Sequence, residues 1–101
     1  MAGKHSRNKG REGENQFAKL VGGRRISKIG LGGPDVLDEA GNTYEVKWHG
    51  TGLAKVYDAL EQAAREGADF VAMRSDHKDW FVAVPLDTWL TLLNWRSDEQ
   101  T

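Results

Sequence analysis

The feature that most constrains the fold is a tight turn between two short segments of strand character. Asp38, Glu39, Ala40 and Gly41 form a strong turn signal, and residues 35–37 and 42–48 on either side have the composition of strands. Such a turn brings its two flanking segments together as an antiparallel pair. The sequence therefore predicts a β-hairpin near the middle of the 101-residue chain.

Apolar spacing and turn residues place the other elements around this hairpin. Helices are predicted over residues 11–20 and 53–66, ended by Gly22-Gly23 and by Gly67, and a last helix is predicted to open at Pro85 and Asp87. Three further strands are predicted over residues 24–29, 70–73 and 80–84. The order α-β-β-β-α-β-β-α predicts an α/β fold with a mixed central sheet flanked by helices. We expect a flexible basic arm over residues 1–10, a single domain over residues 11–95 and a tail over residues 96–101.

Composition excludes several classes of function. The chain has no cysteine, which excludes disulfides, a thiolate metal site and a cysteine nucleophile. It has no apolar run of the roughly 18 residues that a membrane span needs and no apolar core of a signal peptide, so we expect an intracellular, cytoplasmic protein without a membrane partner. Residues 1–28 carry eight basic and two acidic side chains, whereas the remaining residues carry six basic and thirteen acidic ones. This asymmetry is typical either of a polyanion-binding segment or of a solubilising tail.

The strand predicted over residues 42–48 separates its side chains by chemistry. Tyr44, Val46 and Trp48 share one face, and Glu45, Lys47 and His49 share the other, because side chains alternate along a strand. Asp35 lies across the hairpin and can point to the face of Glu45. Two carboxylates placed in this way, completed by the backbone carbonyl of Val46, suit a hard divalent cation. Such an ion polarises a phosphate and lowers the pKa of a bound water, and Lys47 would orient that water or neutralise developing charge. The alternative is a surface ion pair on an edge hairpin.

Pro34, Asp35, Glu45 and Lys47 match the signature of the PD-(D/E)XK nuclease superfamily, which the sequence resembles over residues 9–84. The closer likeness is to archaeal and phage Holliday junction resolvases, which share Lys9-Gly10 followed four residues later by an acid, here Glu14. The resemblance implies a restriction-endonuclease-like α-β-β-β-α-β core.

By this resemblance Asp35, Glu45 and Glu14 are metal ligands and Lys47 is the catalytic lysine, with Mg²⁺ as cofactor and Mn²⁺ as its substitute. Helix geometry independently favours Glu14 over Glu12, because Glu14 shares the face of Phe17 and Val21. A carboxylate on that face needs a partner, which is either a metal or one of Arg24 and Arg25.

Other positions leave alternatives open. The superfamily often has a small residue after the lysine, whereas this chain has Trp48 and then His49, which is a phosphate contact or a solvated histidine. Gln62 corresponds to a glutamine of some related nucleases or is a solvated helix residue. Phosphate contacts without base readout are expected from a set of basic residues: Arg7, Lys9, Arg11, Arg24, Arg25 and Lys28.

The resulting prediction is a metal-dependent endonuclease that cleaves branched DNA, with Holliday junction resolution as its function. Because two matched cuts need two active sites, we expect a homodimer. Leu92 and Trp95 lie off the apolar stripe of the last helix and offer a candidate interface. The alternatives are a structure-independent or restriction-like endonuclease with the same site, and a DNA-binding module without catalysis. The resemblance includes phage enzymes, so a phage origin is one of its implications.

Overall fold

The fold follows the predicted order of elements. The computed structural model describes the backbone of residues 2–26 and 32–100 and the side chains of residues 10–26 and 32–94. Within them the chain forms three helices and five strands: α1 (Ala2–Leu20), β1 (Arg24–Arg25), β2 (Val36–Leu37), β3 (Thr43–Tyr44), α2 (Ala54–Glu66), β4 (Val71–Met73), β5 (Phe81–Ala83) and α3 (Leu86–Gln100). The α-β-β-β-α-β-β-α order is therefore confirmed.

The first helix is longer than the sequence pattern predicts. It begins at Ala2, within the segment predicted as a flexible arm, so the predicted start at residue 11 was wrong. The segment lacks an apolar stripe and contains Gly3 and Gly10, which disfavour a helix, so it carries no local signal that marks the helix start. The last helix likewise extends to Gln100, through most of the tail predicted over residues 96–101.

The end of α1 is set by two glycines, as predicted. The Gly23 N–H donates to the Ala18 carbonyl at 2.8 Å and the Gly22 N–H donates to the Lys19 carbonyl at 3.3 Å. Gly22 has φ of 66°, the left-handed conformation that this type of helix ending requires and that glycine adopts without strain. The turn directs the chain straight into β1.

Strands β1, β2 and β3 form an antiparallel sheet with β2 in the centre. Val36 pairs with Tyr44 and Leu37 pairs with Thr43 across the predicted hairpin. The third strand is shorter than predicted, because regular pairing ends at Tyr44 and Glu45, Val46 and Lys47 lie beyond it rather than in mid-strand. The reason lies in Asp35, whose side chain rather than its backbone accepts the next hydrogen bond, from the Val46 N–H.

The core of this part of the chain lies between α1 and the sheet. Ala18, Val21 and Val36 are buried, and the Phe17 ring meets the Tyr44 ring edge-on with centroids 4.9 Å apart. The Leu20 side chain, by contrast, is exposed. It occupies the last turn of the helix, where the chain already bends away through Gly22.

Strands β4 and β5 form a second antiparallel sheet, with Val71 opposite Ala83. The described strands thus make two small antiparallel sheets, and the predicted mixed central sheet stays a prediction. Helix α2 ends at Gly67, as predicted, and the Pro85 carbonyl accepts the Trp89 N–H at 3.0 Å in the first turn of α3. The molecule is thus a mixed α/β protein.

The chain divides into two compact units, residues 1–48 and residues 49–101. The predicted single domain over residues 11–95 stays a prediction. Glu14, Asp35, Glu45 and Lys47 all belong to the first unit. Among the described residues, no helix has the length and apolar character that crossing a membrane requires.

Candidate functional site

Asp35 is the best-anchored residue of the candidate site. It directly precedes β2, where its N–H donates to the Tyr44 carbonyl and its own carbonyl accepts the Ile26 N–H, both at 2.8 Å. Its carboxylate Oδ2 accepts the Val46 N–H at 2.9 Å, and the residue is only 8% exposed. A polar side chain at this depth is stabilised by such hydrogen bonds. The Asp35 carboxylate is therefore fixed against the segment that carries Glu45 and Lys47.

Glu45 and Lys47 flank Val46, the residue whose N–H donates to this carboxylate at 2.9 Å. The Lys47 Nζ lies 3.6 Å from the Glu45 Oε1, and both side chains are mostly exposed. Their side chains thus share one side of the chain, as the alternation pattern predicts. An exposed pair of this kind contributes little to stability, so solvent and ligands compete for it readily.

Glu14 lies on the inner face of α1, as the helix geometry predicts. Its Oε1 accepts from the Arg25 Nε at 3.3 Å, and the Glu14 side chain is 18% exposed. Glu12 instead points outward and accepts a hydrogen bond from the Gln16 amide at 3.3 Å. The sequence left a metal, Arg24 and Arg25 open as partners of Glu14, and in the structure Glu14 pairs with Arg25.

The donor set suits a hard divalent cation, since Asp35, Glu45 and Glu14 supply only oxygen. The described residues, however, include no group of three or more acidic or histidine side chains close enough to hold a metal ion. The side chains of Glu14 and Glu45 are each paired with a basic residue. The metal-ligand roles of Asp35, Glu45, Glu14 and the Val46 carbonyl stay predictions.

Asp38 is a structural residue of the site that the sequence analysis treated only as part of a turn. Its Oδ1 accepts the N–H groups of Ala40 and Asn42, both at 2.9 Å. Its Oδ2 accepts from the Asn42 amide at 3.1 Å and from the Tyr44 hydroxyl at 2.6 Å. Asp38 is 6% exposed. The signal for this role was an aspartate opening a turn with an asparagine four residues later.

The hydrogen bonds decide the charge state of Asp38. Burial raises the pKa of the Asp38 carboxyl, but the hydrogen bonds from Tyr44, Asn42 and Ala40 together outweigh burial and lower that pKa below its usual value of 3.8. Asp38 is therefore an ionised carboxylate at neutral pH, and it fixes the turn between β2 and β3.

Trp48 packs against α1 at Gly13. A β-carbon added at Gly13 would lie 3.1 Å from the Trp48 Cε3 atom, which is tighter than ordinary contact. This contact gives the large residue after Lys47 a packing role. It ties the segment carrying Glu45 and Lys47 to the helix that carries Glu14.

The basic residues predicted to contact DNA are only partly described. Arg11, Arg24 and Arg25 have exposed side chains. Arg7 and Lys9 lie in the helical backbone of α1, but their side chains, like all of Lys28, are outside the described residues. A shallow groove of about 330 Å³ runs along α1, lined by Arg11, Glu12, Asn15, Gln16 and Lys19.

The two accessory candidates lie in the second unit. His49 is exposed, and the Gln62 amide donates to the Glu66 carboxylate at 3.2 Å on the exposed surface of α2. This is the arrangement of a solvated helix residue. Their roles at the site stay predictions.

No family model matches the chain, and comparison with curated proteins and with solved structures gives no match either.

Proposed function

We propose that this protein is a metal-dependent endodeoxyribonuclease of the PD-(D/E)XK type, with a restriction-endonuclease-like core. The observation that carries the proposal is the hydrogen bond from the Val46 N–H to the Asp35 carboxylate. It joins the two halves of the sequence signature within one hairpin, so that a buried acid, an exposed acid and a lysine belong to one small region.

Asp35 and Glu45 would hold Mg²⁺, for which Mn²⁺ substitutes, together with oxygens of the DNA phosphate. The bound ion would supply charge to polarise the phosphate and to lower the pKa of a water. Asp35 keeps its orientation through the Val46 N–H, so its second oxygen has a fixed direction. Lys47 is exposed and flexible enough to leave Glu45 and stabilise negative charge on the phosphate.

Branched DNA, with the four-way junction first, is the substrate that we propose. The basic residues of the first 28 positions would supply phosphate contacts that read no bases. A junction needs two matched cuts, which a symmetric homodimer supplies. In α3 Leu92 is half-buried, and so are Leu86, Trp89, Leu90 and Leu93. Leu92 is therefore not distinguished from these residues by exposure. The Trp95 side chain lies outside the described residues.

A DNA-binding module without catalysis is the second candidate. It is favoured by the pairing of Glu14 with Arg25 and of Glu45 with Lys47, which leaves these four charges compensated within the chain. Such a module would bind DNA equally well with and without divalent cations and would cleave none of it.

A cleavage assay distinguishes the two candidates. Purified protein is incubated with labelled four-way, flapped and duplex DNA. The buffers contain about 5–10 mM Mg²⁺, or Mn²⁺, or EDTA. The proposal predicts cation-dependent cuts in the four-way junction ahead of the duplex. Binding without cleavage under every condition supports the silent module, and equal cleavage of all substrates supports the restriction-like enzyme.

A further inference from the structure

The ion pair between Glu14 and Arg25 joins two residues that the proposed function needs for different purposes. Glu14 is the third acid of the candidate site, and Arg25 is one of the predicted phosphate contacts. In the structure the Arg25 Nε lies 3.3 Å from the Glu14 Oε1. Each therefore neutralises the other while DNA is absent.

We propose that DNA binding exchanges this ion pair: a phosphate takes Arg25 from Glu14, and the released Glu14 carboxylate then completes the acidic site. The inference rests on the proposed nuclease function and deepens it, because it couples catalytic assembly to the substrate. In the free protein the pair keeps the site incomplete.

The position of Arg25 makes it accessible to a phosphate at the site. Arg25 lies in β1 opposite Val36, and the next residue, Ile26, donates its N–H to the Asp35 carbonyl. Arg25 therefore lies on the strand that pairs directly with the strand following Asp35. The Arg25 side chain is 40% exposed, whereas Glu14 is 18% exposed, so the arginine is the member of the pair that a ligand reaches first.

The chemistry of the pair favours the exchange. A guanidinium binds phosphate through two parallel N–H groups, which is stronger than one Nε contact to a carboxylate at 3.3 Å. A partly exposed ion pair has a low cost of opening. Once Arg25 has moved, Glu14 is a half-buried carboxylate that lacks its cation, and a divalent cation or its water becomes the favoured partner.

Coupling of this kind is reciprocal and is measurable without catalysis. Glu14→Gln removes the competing charge, so Arg25 becomes available to DNA in the absence of any metal. Glu12→Gln is the matched control, since it removes the same charge from the outer face of the same helix. Arg24→Gln is the corresponding control for Arg25→Gln, because Arg24 is the adjacent exposed residue of β1.

The first experiment measures binding of a labelled four-way DNA junction in EDTA by fluorescence anisotropy. Glu14→Gln should tighten binding about two- to fivefold more than Glu12→Gln, the range expected for release of a partly exposed ion pair. That extra gain should vanish when Arg25 is also replaced by glutamine. Equal gains for Glu14→Gln and Glu12→Gln, or a gain that persists without Arg25, would overturn the proposal. Thermal melting confirms that each variant is folded, and Arg25→Lys, which keeps the charge, should retain part of the coupling.

The second experiment measures Mn²⁺ binding by calorimetry without DNA. Arg25→Gln should bind Mn²⁺ more tightly than Arg24→Gln, and the difference should disappear in Glu14→Gln. An Arg25-dependent gain in DNA binding with no Mn²⁺ binding by any variant would refute the nuclease function but keep the exchange of partners. Mn²⁺-dependent cleavage with no coupling between Glu14 and Arg25 would refute the exchange and keep the nuclease. A wild-type protein that does not bind DNA would refute both.

Discussion

Replacement of Asp38 by asparagine should destabilise the hairpin that carries the candidate site. Asparagine keeps one oxygen for the N–H groups of Ala40 and Asn42, but its amide faces the Asn42 amide and the Tyr44 hydroxyl where Oδ2 accepted both. Hydrogen bonds to a charged group are worth about 1.5–3 kcal/mol each, and the tyrosine hydroxyl can turn to accept a bond from the new amide. We therefore expect a loss of about 2–3 kcal/mol in the free energy of unfolding at pH 7.

The effect should depend on pH with a definite sign. The pKa of Asp38 is lowered in the folded chain, so its contribution is complete above the unfolded pKa of 3.8 and is lost as pH falls through the lower folded pKa. The stability difference between wild type and Asp38→Asn should accordingly be constant from about pH 5 to about pH 7, because this whole range lies above the ordinary pKa of aspartate. It should shrink progressively below the usual aspartate pKa.

Urea unfolding followed by tryptophan fluorescence measures this difference, and Asp76→Asn is the matched control. Asp76 is an exposed aspartate in the turn between β4 and β5, so its replacement should change stability by less than about 0.5 kcal/mol. A loss for Asp38→Asn no larger than that for Asp76→Asn would refute the role of Asp38. So would a difference that stays the same at every pH.

Three further outcomes follow from the fold and the proposed function. Gly23→Ala should cost at least about 2 kcal/mol, because a β-carbon there would lie 2.8 Å from the Asp38 Cα, whereas Gly32→Ala meets no atom within 4 Å and should be nearly neutral by urea unfolding. Deletion of residues 1–8 removes Lys4 and Arg7 and should lower the slope of log binding constant against log salt by about 0.9 for each lost phosphate contact; an unchanged slope would make this segment a solubilising extension. Sedimentation at micromolar concentration should give the mass of a dimer, and a monomer that cuts duplex and junction equally would favour the restriction-like alternative.

The order of elements was predictable because its signals are local. The Gly22-Gly23 and Gly67 helix ends and the turn opened by Asp38 each depend on a few neighbouring residues, and all three occur where the sequence places them. Helix ends inside polar segments were less predictable, since the start of α1 at Ala2 has no cap or apolar stripe to mark it. The mixed central sheet stays a prediction, because strand pairing between distant segments has no local signal.

At the candidate site, the sequence predicted the face on which a side chain lies but not the residue that it contacts. Alternation and helix spacing correctly placed Glu45 with Lys47 and turned Glu14 inward while Glu12 faces solvent. The choice of Arg25 over Arg24 as the partner of Glu14 depends on the register between α1 and β1, which the sequence does not encode locally. The depth of Asp35 and its bond to the Val46 N–H likewise come from tertiary structure.

The central claim is that Asp35 acts in catalysis rather than in folding or DNA binding. The decisive measurement is the single-turnover cleavage rate of a four-way DNA junction by wild type and by Asp35→Asn, with junction affinity and thermal stability measured on the same samples. The account predicts a loss of at least about 100-fold in rate, the scale of one electrostatic group in an active site, with junction affinity unchanged or higher because a charge that repels phosphate is removed. Cleavage by Asp35→Asn at the wild-type rate, or no cation-dependent cleavage by wild type, would contradict it.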